Sequence, residues 1–470
     1  MEKSTKIIAT IGPSCDSEEK IESLIKAGVN IFRFNFKHNT VDWHSERIKR
    51  VNQVAKKMKT IIGTLIDLQG PELRVNLPVE KIKIEKGHLY PFGRQVFEKK
   101  ILGIALSNFQ VEDCLSGGEK VFIADGYFQF EVVKKKDGFY LKSFSKGILK
   151  NRKNLNIPQL NLPFSSLIKR DFEGLKLAAL HDIDYIALSF VRTKNDILAL
   201  RKEMKKYEIT AKIVAKIETK KALENLTEII NKTDGVMVAR GDLGVEVSLE
   251  ALPYWQKKII NQSLSQGKFV ITATQMLESM VTNVLPTRAE ISDIANAVYD
   301  GTDCVMLSAE TASGSHPTEA VSYMKKTIIY AEKFLEEKPS IFNKKNDFRY
   351  SLCQAAFNIS QNLKKNLLGF LVITESGQTA IILSRFRPRF PIFAVTPYQN
   401  IAESLTAYFG VFPSVFSYAK KGEITLDSLK EVVVFLRKNY NLKKGYLVIL
   451  HGDFWRLKER SSVVRVMELK

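Results

Sequence analysis

The chain has 470 residues, more than a single barrel domain requires, and its 45% hydrophobic and 26% charged residues exclude a disordered or fibrous chain. Four scattered cysteines with no C-x-x-C pair argue against a disulfide framework or zinc knuckle and fit a reducing cytosol, and no apolar run reaches the ~18 residues a transmembrane helix needs. The net charge of +20 sits in short, dispersed clusters (Lys56-Lys57, Lys134–Lys136, Lys344-Lys345, Lys443-Lys444), so it reads as a lysine-rich surface around a site for small phosphorylated anions, not as a nucleic-acid stripe.

Eight short apolar strands are predicted: TKIIATIG, NIFRFNF, TIIGTLIDL, YIALSF, AKIVAKIE, GVMVARGDL, FVITATQM and CVMLSAET. They begin near Thr5, Asn30, Thr60, Tyr185, Ala211, Gly235, Phe269 and Cys304. The first leaves no room for a signal peptide, and a cytoplasmic protein is expected. Helical spacing separates most of them, so the fold class is α/β: a (β/α)8 TIM barrel with its active site where the strands end. Strand starts lie about 25–35 residues apart, but about 125 separate the third from the fourth.

A domain is therefore inserted after Asp67. Its alternating strands EKVFIAD, YFQFEVVK and GFYLKSF, with turns at Gly117-Gly118 and Asp137-Gly138, mark a small all-β module bracketed by Pro78 and Pro158. Leaving from the catalytic mouth, it is placed to act as a lid. Past about Glu337 the helix SLCQAAFNISQNLKKN and the strands LGFLVITES, FPIFAVT and GYLVILHG suggest an open α/β sheet. The expected domains are a barrel (1–75 and 158–337), the lid (76–157) and a regulatory or interface domain (338–470).

The polar residues at the strand ends form a candidate site. By alternation Arg33, Asn35 and Lys37 share a face of the second strand, and Asp67 ends the third. Arg33 suits phosphate; His38, a lone histidine, is a minor candidate. Lys216 and Glu218 share a face of the fifth strand, and Asp242 closes the sixth. Two carboxylates on strands ~4.8 Å apart converge on one hard cation, such as Mg²⁺ (or Mn²⁺). Lys216, read as a strand-end residue facing a wet mouth, would neutralise charge in phosphoryl transfer; a plain ion pair with Glu218 is the alternative.

Gly241 frees N–H groups to face an anion. Thr274 ends the seventh strand, its hydroxyl offered to a substrate oxygen, to a proton-donating water, or merely to backbone. Ser308 and Glu310 share a face of the eighth. In the C-terminal unit Thr374, Ser376, Gly377 and Thr379 form either an anion nest or a capped turn.

The segments RFNFKH (33–38), DLQGPELR (67–74), AKIE (215–218), MVARGDLGVE (237–246), ATQMLESM (273–280), PTRAE (286–290) and LSAET (307–311) make the chain resemble the pyruvate kinases, over essentially its whole length and in the same domain order. The resemblance implies phosphoryl transfer from phosphoenolpyruvate to ADP, as the last step of glycolysis, by a homotetramer. It implies that Glu218 and Asp242 hold Mg²⁺, that Lys216 stabilises the transferring phosphoryl group, and that Gly241, Asp242 and Thr274 hold the substrate carboxylate. Arg33, Asn35, Phe36, Lys37, His38, Arg74 and Lys153 would contact nucleotide or transferring phosphate. Thr374–Thr379 resembles an effector-phosphate loop, with Trp455, Arg456, Lys458 and Arg460 nearby where the family's glycine-rich loop is missing.

The family's K⁺ site would be Asn35, Lys37, Asp67 and the Leu68 carbonyl. Ser is usual where Lys37 stands, so K⁺ use is in doubt: an ammonium beside Asp67 would fill the site. Members with Lys at the position of Glu72 tend not to need K⁺. Other departures are Asn39 and Ala309 where Gly is usual, and Leu68-Gln69 inside the DLQGPE segment. Barrel lyases and aldolases acting on pyruvate enolates share the cation site but need neither the lid nor Arg33. An RNA-binding protein that kept the fold would have no use for intact Lys216, Glu218, Asp242 and Thr274.

Overall fold

Continuous apolar runs become eight parallel strands: β1 (Lys6–Thr10), β2 (Ile31–Asn35), β3 (Gly63–Asp67), β4 (Tyr185–Leu188), β5 (Lys212–Ile217), β6 (Gly235–Ala239), β7 (Phe269–Ala273) and β8 (Cys304–Leu307). They close in the order β1-β8-β7-β6-β5-β4-β3-β2. The computed structural model describes residues 3–158, 160, 164–335, 347–364, 366–417, 425–452 and 462–470. Seven strands begin within a residue of their expected starts. The third begins at Gly63 and not near Thr60, because Thr60 N still bonds Ala55 O while Lys59 (φ 53°) ends the preceding helix.

Period-two alternation divides the barrel into two cores. One set, including Ile7, Phe32, Ile66, Ile186 and Ile213, packs outward against the helices. The other, including Ile8, Ile31, Leu65, Tyr185, Val214 and Phe269, packs with Phe370, Leu405 and Tyr408 of the C-terminal domain. The second set lies at the strand starts, so one step of two along β2, β3 and β5 leads from Ile31, Leu65 and Val214 to Arg33, Asp67 and Lys216.

The C-terminal domain seals the barrel at those starts. Ala407 N donates to the Tyr185 hydroxyl at 3.1 Å, Phe409 N to Asp303 Oδ1 at 3.1 Å, and Lys6 Nζ to Val411 O at 2.6 Å. Asp303, fully buried, takes Arg385 Nη2 at 2.5 Å and Arg387 Nη1 at 3.1 Å. The domain's sheet runs β11-β10-β9-β12-β13, from β9 (Leu367–Ile373), β10 (Ile392–Thr396), β11 (Val411–Val415), β12 (Gly445–Gly452) and β13 (Ser462–Leu469), with β13 alone antiparallel. β11 escaped the sequence reading because it contains Pro413, which an edge strand tolerates. The expected helix occupies Phe348–Asn362, starting a turn early at the Asp347 cap.

The insertion is all-β apart from two short helical turns. Five strands (155–156, 120–123, 128–135, 138–143 and 89–92, in sheet order) and the pair 81–84 with 147–150 enclose their own core of Val75, Phe92, Val121, Phe130 and Leu141. The strands before 120 are only two to four residues long.

Candidate active site

The ends of β2, β3 and β5 bring ionic side chains together under cover. Arg33 Nε and Nη2 lie 2.8 and 2.7 Å from Asp67 Oδ2, and Nη1 donates to Thr10 Oγ1 at 2.9 Å. Lys216 Nζ lies 3.2 Å from Asp67 Oδ1 and 2.8 Å from Glu218 Oε1, and donates to Ser189 Oγ at 2.8 Å. Lys216 is only 5% exposed, so the expected wet, strand-end lysine is instead a buried one. Burial works to lower the Lys216 pKa, but Asp67 and Glu218 outweigh it and the pKa ends above its ordinary value. Burial likewise works to raise the Asp67 pKa, but Lys216 and Arg33 hold the carboxyl below the usual range. These charges are therefore fixed near neutral pH.

Glu218, one residue past β5, is satisfied on one side only. Oε2 accepts from Phe190 N at 2.7 Å, while the buried Oε1 accepts no hydrogen bond and has the Lys216 ammonium beside it. Asp242 does not close β6 as expected. That strand ends at Ala239, and Asp242 stands in the first turn of the helix Arg240–Glu246. Burial, then the charge of Glu218, pushes its pKa up to about 6. Two carboxylates that repel each other, one with an oxygen met only by an ammonium, are a donor set suited to a hard divalent cation. Among the described residues no group of three or more His, Cys, Asp or Glu side chains could hold a metal.

Thr274 follows β7 with φ 68°, and Gln275 with φ 53°. A β-branched residue there is strained and persists only if its surroundings hold it. Arg240 does so: Nη2 donates to Thr274 O at 2.7 Å, Nε to Ala273 O at 3.2 Å, and Nη1 is 2.7 Å from Asp293 Oδ1. The Thr274 hydroxyl accepts from Gly241 N at 2.8 Å and donates to Ala273 O at 2.6 Å, tying the β6 and β7 loops together. Glu310 stands behind the mouth, one turn past β8 beside Ser308. It is buried and braces backbone, accepting from Leu277 N at 3.1 Å and Ser308 N at 2.6 Å.

Lys37 departs from its expected pairing with Asp67. β2 ends at Asn35, so strand alternation stops before it reaches Lys37. The chain turns, Asn35 Oδ1 accepts from Lys37 N at 3.2 Å, and Lys37 Nζ lies 3.3 Å from Glu72 Oε1 and 5.3 Å from the Phe190 ring centroid. Glu72 Oε2 takes Arg74 Nη2 at 2.9 Å.

The family model described as "Pyruvate kinase, barrel domain" matches residues 2–321, and "Pyruvate kinase, alpha/beta domain" matches residues 350–467. The chain belongs to the pyruvate kinase family. It is 36% identical to the pyruvate kinase of Thermotoga maritima over 474 aligned residues, covering 99% of this chain and all of that one. It is also 36% identical to that of Staphylococcus aureus (strain USA300), over 95% of this chain and 77% of the relative. The crystal structure of a pyruvate kinase from Cryptosporidium parvum superposes with a TM-score of 0.90 at 30% identity, covering 99% of this chain and 96% of that one.

Within this pyruvate kinase fold, Arg74 forms an isolated bridge with Asn154, which sets exposed Lys153 beside it. His38 is exposed and Phe36 buried on the turn after β2. In the C-terminal domain the Thr374 hydroxyl accepts from Gly377 N at 3.0 Å, so it closes its own turn; Ser376 is exposed and Thr379 half-buried. Trp455, Arg456, Lys458 and Arg460 lie outside the described residues. Ser189, the polar residue near the end of YIALSF and absent from the expected site, accepts from Lys216 Nζ at 2.8 Å and donates to Leu68 O at 2.7 Å. Glu72, noted in the sequence only as the position where some relatives carry Lys, receives both Lys37 and Arg74.

Proposed function

We propose that this chain transfers the phosphoryl group of phosphoenolpyruvate to ADP, giving pyruvate and ATP, and that it depends on a divalent cation. The buried Arg33–Asp67–Lys216–Glu218 array beside Asp242 carries this reading. In-line phosphoryl transfer asks for positioned positive charge more than for covalent chemistry. Arg33 and Lys216, each anchored by a carboxylate, are preorganised to receive the charge of the transferring group. Glu218 and Asp242 are the residues to hold Mg²⁺ or Mn²⁺, which when bound neutralises phosphate and enolate charge. Gly241, Asp242 and Thr274 are proposed to receive the substrate carboxylate, with the Thr274 hydroxyl near the point where the enolate gains its proton. Asn35, Lys37, His38, Arg74 and Lys153 are proposed to face the nucleotide, whereas Phe36, expected beside them, turns its ring into the outer core between His44 and Arg170. A coupled assay with phosphoenolpyruvate and ADP, with and without added RNA, tests the reading. Turnover is expected, lost on chelation, restored by Mg²⁺ and indifferent to RNA; a chain inactive with both substrates and Mg²⁺ would overturn it.

The residues matched to the family's K⁺ site already have partners here, and Asp67 also feels the charge of the Lys37 ammonium, which would repel a second monocation. Asp67 is engaged through both oxygens by Arg33 and Lys216, and the Leu68 carbonyl accepts from Ser189 Oγ. Asn35 Oδ1 accepts from backbone. The Lys37 ammonium at Glu72 supports a built-in cation, delivered to the position where a lysine accompanies K⁺ independence in relatives. Wild type is expected to turn over equally in Na⁺- and K⁺-free buffer at fixed ionic strength, and Lys37→Ser to acquire K⁺ activation. Strong K⁺ activation of the wild type would sink the idea.

An effector phosphate at Ser376, Gly377 and Thr379 with Thr374 behind them, and a homotetramer, follow from the family and stand as proposals. Among the described residues no helix is long and apolar enough to cross a membrane.

A further inference from the structure

The turn after β2 is held from outside the site by residues with no part in the chemistry described above. Arg170 is in the first turn of the helix Lys169–Leu180. Its Nε donates to Phe36 O at 3.3 Å, Nη2 donates to Asn39 O, and its guanidinium carbon lies 5.3 Å from the Phe36 ring centroid. His44, 1% exposed, stacks on the same ring at 4.4 Å and 14°. His44 Nε2 lies 2.9 Å from His38 O, and since a carbonyl only accepts, that nitrogen carries the proton. Three of the four carbonyls of Phe36–Asn39 are thus bound by two side chains.

The clamp has a fixed base and a load. Next in the chain, buried Asp171 accepts from Gln69 N at 2.8 Å and Gly70 N at 3.2 Å, which pins this helix start to the loop leaving β3. At Gly174, one turn on, a Cβ would come within 2.9 Å of Leu68 and 3.3 Å of Phe36, so the glycine permits the close approach. The load is Asn39, left-handed at φ 62°. That conformation costs a side-chain-bearing residue more than glycine, and Arg170 bonds this residue's carbonyl.

We propose that Arg170, with His44, is a positioning residue that presets the Phe36–Asn39 turn for the nucleotide. The proposal rests on the reading that this turn faces ADP. Without the clamp, ADP binding must order the turn, and its affinity falls while the phosphoenolpyruvate side is untouched. Arg170→Gln cannot bridge two carbonyls and should raise KM for ADP about tenfold, the loss of one or two charged hydrogen bonds. Affinity for phosphoenolpyruvate, measured with Mn²⁺ and no nucleotide, should stay within about twofold. Arg170→Lys, which keeps the cation over Phe36, should recover part of the loss at the wild-type melting temperature and serves if the glutamine variant does not fold.

Arg74→Ala and Lys153→Ala test the underlying reading. If they raise KM for ADP and neither Arg170 variant does, the clamp falls and the reading stands. If none raises it, the nucleotide assignment falls and the clamp with it. Equal loss of ADP and phosphoenolpyruvate affinity in the Arg170 variants would make Arg170 merely structural.

Discussion

Lys216 Nζ contacts two carboxylates, Asp67 and Glu218, where almost no water reaches. Lys216→Met removes the ammonium proposed to meet the transferring phosphoryl group, and it also strands a buried carboxylate. Turnover is expected to fall at least roughly a thousandfold, since one preorganised donor is worth ~3 kcal/mol and a full charge more. Stability is expected to fall as well, by about 3 kcal/mol, because breaking a buried pair costs more than the pair contributes. Arg33 still answers Asp67, so the exposed liability is Glu218. Added Mg²⁺ should therefore narrow the gap in urea midpoint between variant and wild type. Near-normal turnover would remove Lys216 from the mechanism, and an unchanged midpoint would show that its ion pairs are not stabilising.

The helix Val41–Met58 starts where the Thr40 hydroxyl accepts from Trp43 N at 3.2 Å, and its first turn buries His44. Burial pulls the His44 pKa down to about 4, against an unfolded value near 6.5, and Arg170 adds to the effect. The neutral ring is the folded form, so its contribution is complete above pH 6.5 and is lost as pH falls toward 4. The difference is worth about 3 kcal/mol at the acid end. Urea unfolding at pH 7 and 4.5 should show a smaller acid loss in His44→Gln than in wild type; equal losses would mean that His44 is not the group. This element also shows how far the sequence could be read. Apolar runs located all eight barrel strands, and the polar residues ending them located Arg33, Asp67, Lys216 and Glu218. Alternation was then carried past Asn35, Ala239 and Ala273, where the backbone turns, so Lys37 and Asp242 were given the wrong neighbours or element. The left-handed Thr274 and the Arg240 brace leave no periodic signal. Lys37–Glu72 joins two loops whose approach only the closed barrel sets.

Across the molecule the C-terminal domain grips the barrel through Asp303, which accepts from Val270 N at 2.9 Å and Phe409 N at 3.1 Å while facing Arg385 and Arg387. Burial works to raise its pKa, but the two guanidiniums hold it below the carboxylate range. Asp303→Asn removes the carboxylate that buried Arg385 and half-buried Arg387 share and should cost about 3 kcal/mol, seen as a lower calorimetric melting temperature. Melting at the wild-type temperature would dismiss the grip as a source of stability. At the opposite end, the inserted module interrupts the chain between two strands that must pair, β3 and β4, leaving over a hundred residues between Asp67 and Tyr185. In an unfolded state, closing a loop of that length costs roughly 4 kcal/mol of chain entropy. The module stitches its own ends together, with Leu155 N on Leu73 O and Val75 N on Lys153 O, each at 2.9 Å. A module that folds first shortens the loop to residues 68–74 and 154–184, about 38 in all, and relieves the barrel of about 1 kcal/mol of that entropy. That bias favours one order of assembly for a nascent chain, in which the inserted module collapses on its own core before β4 closes against β3.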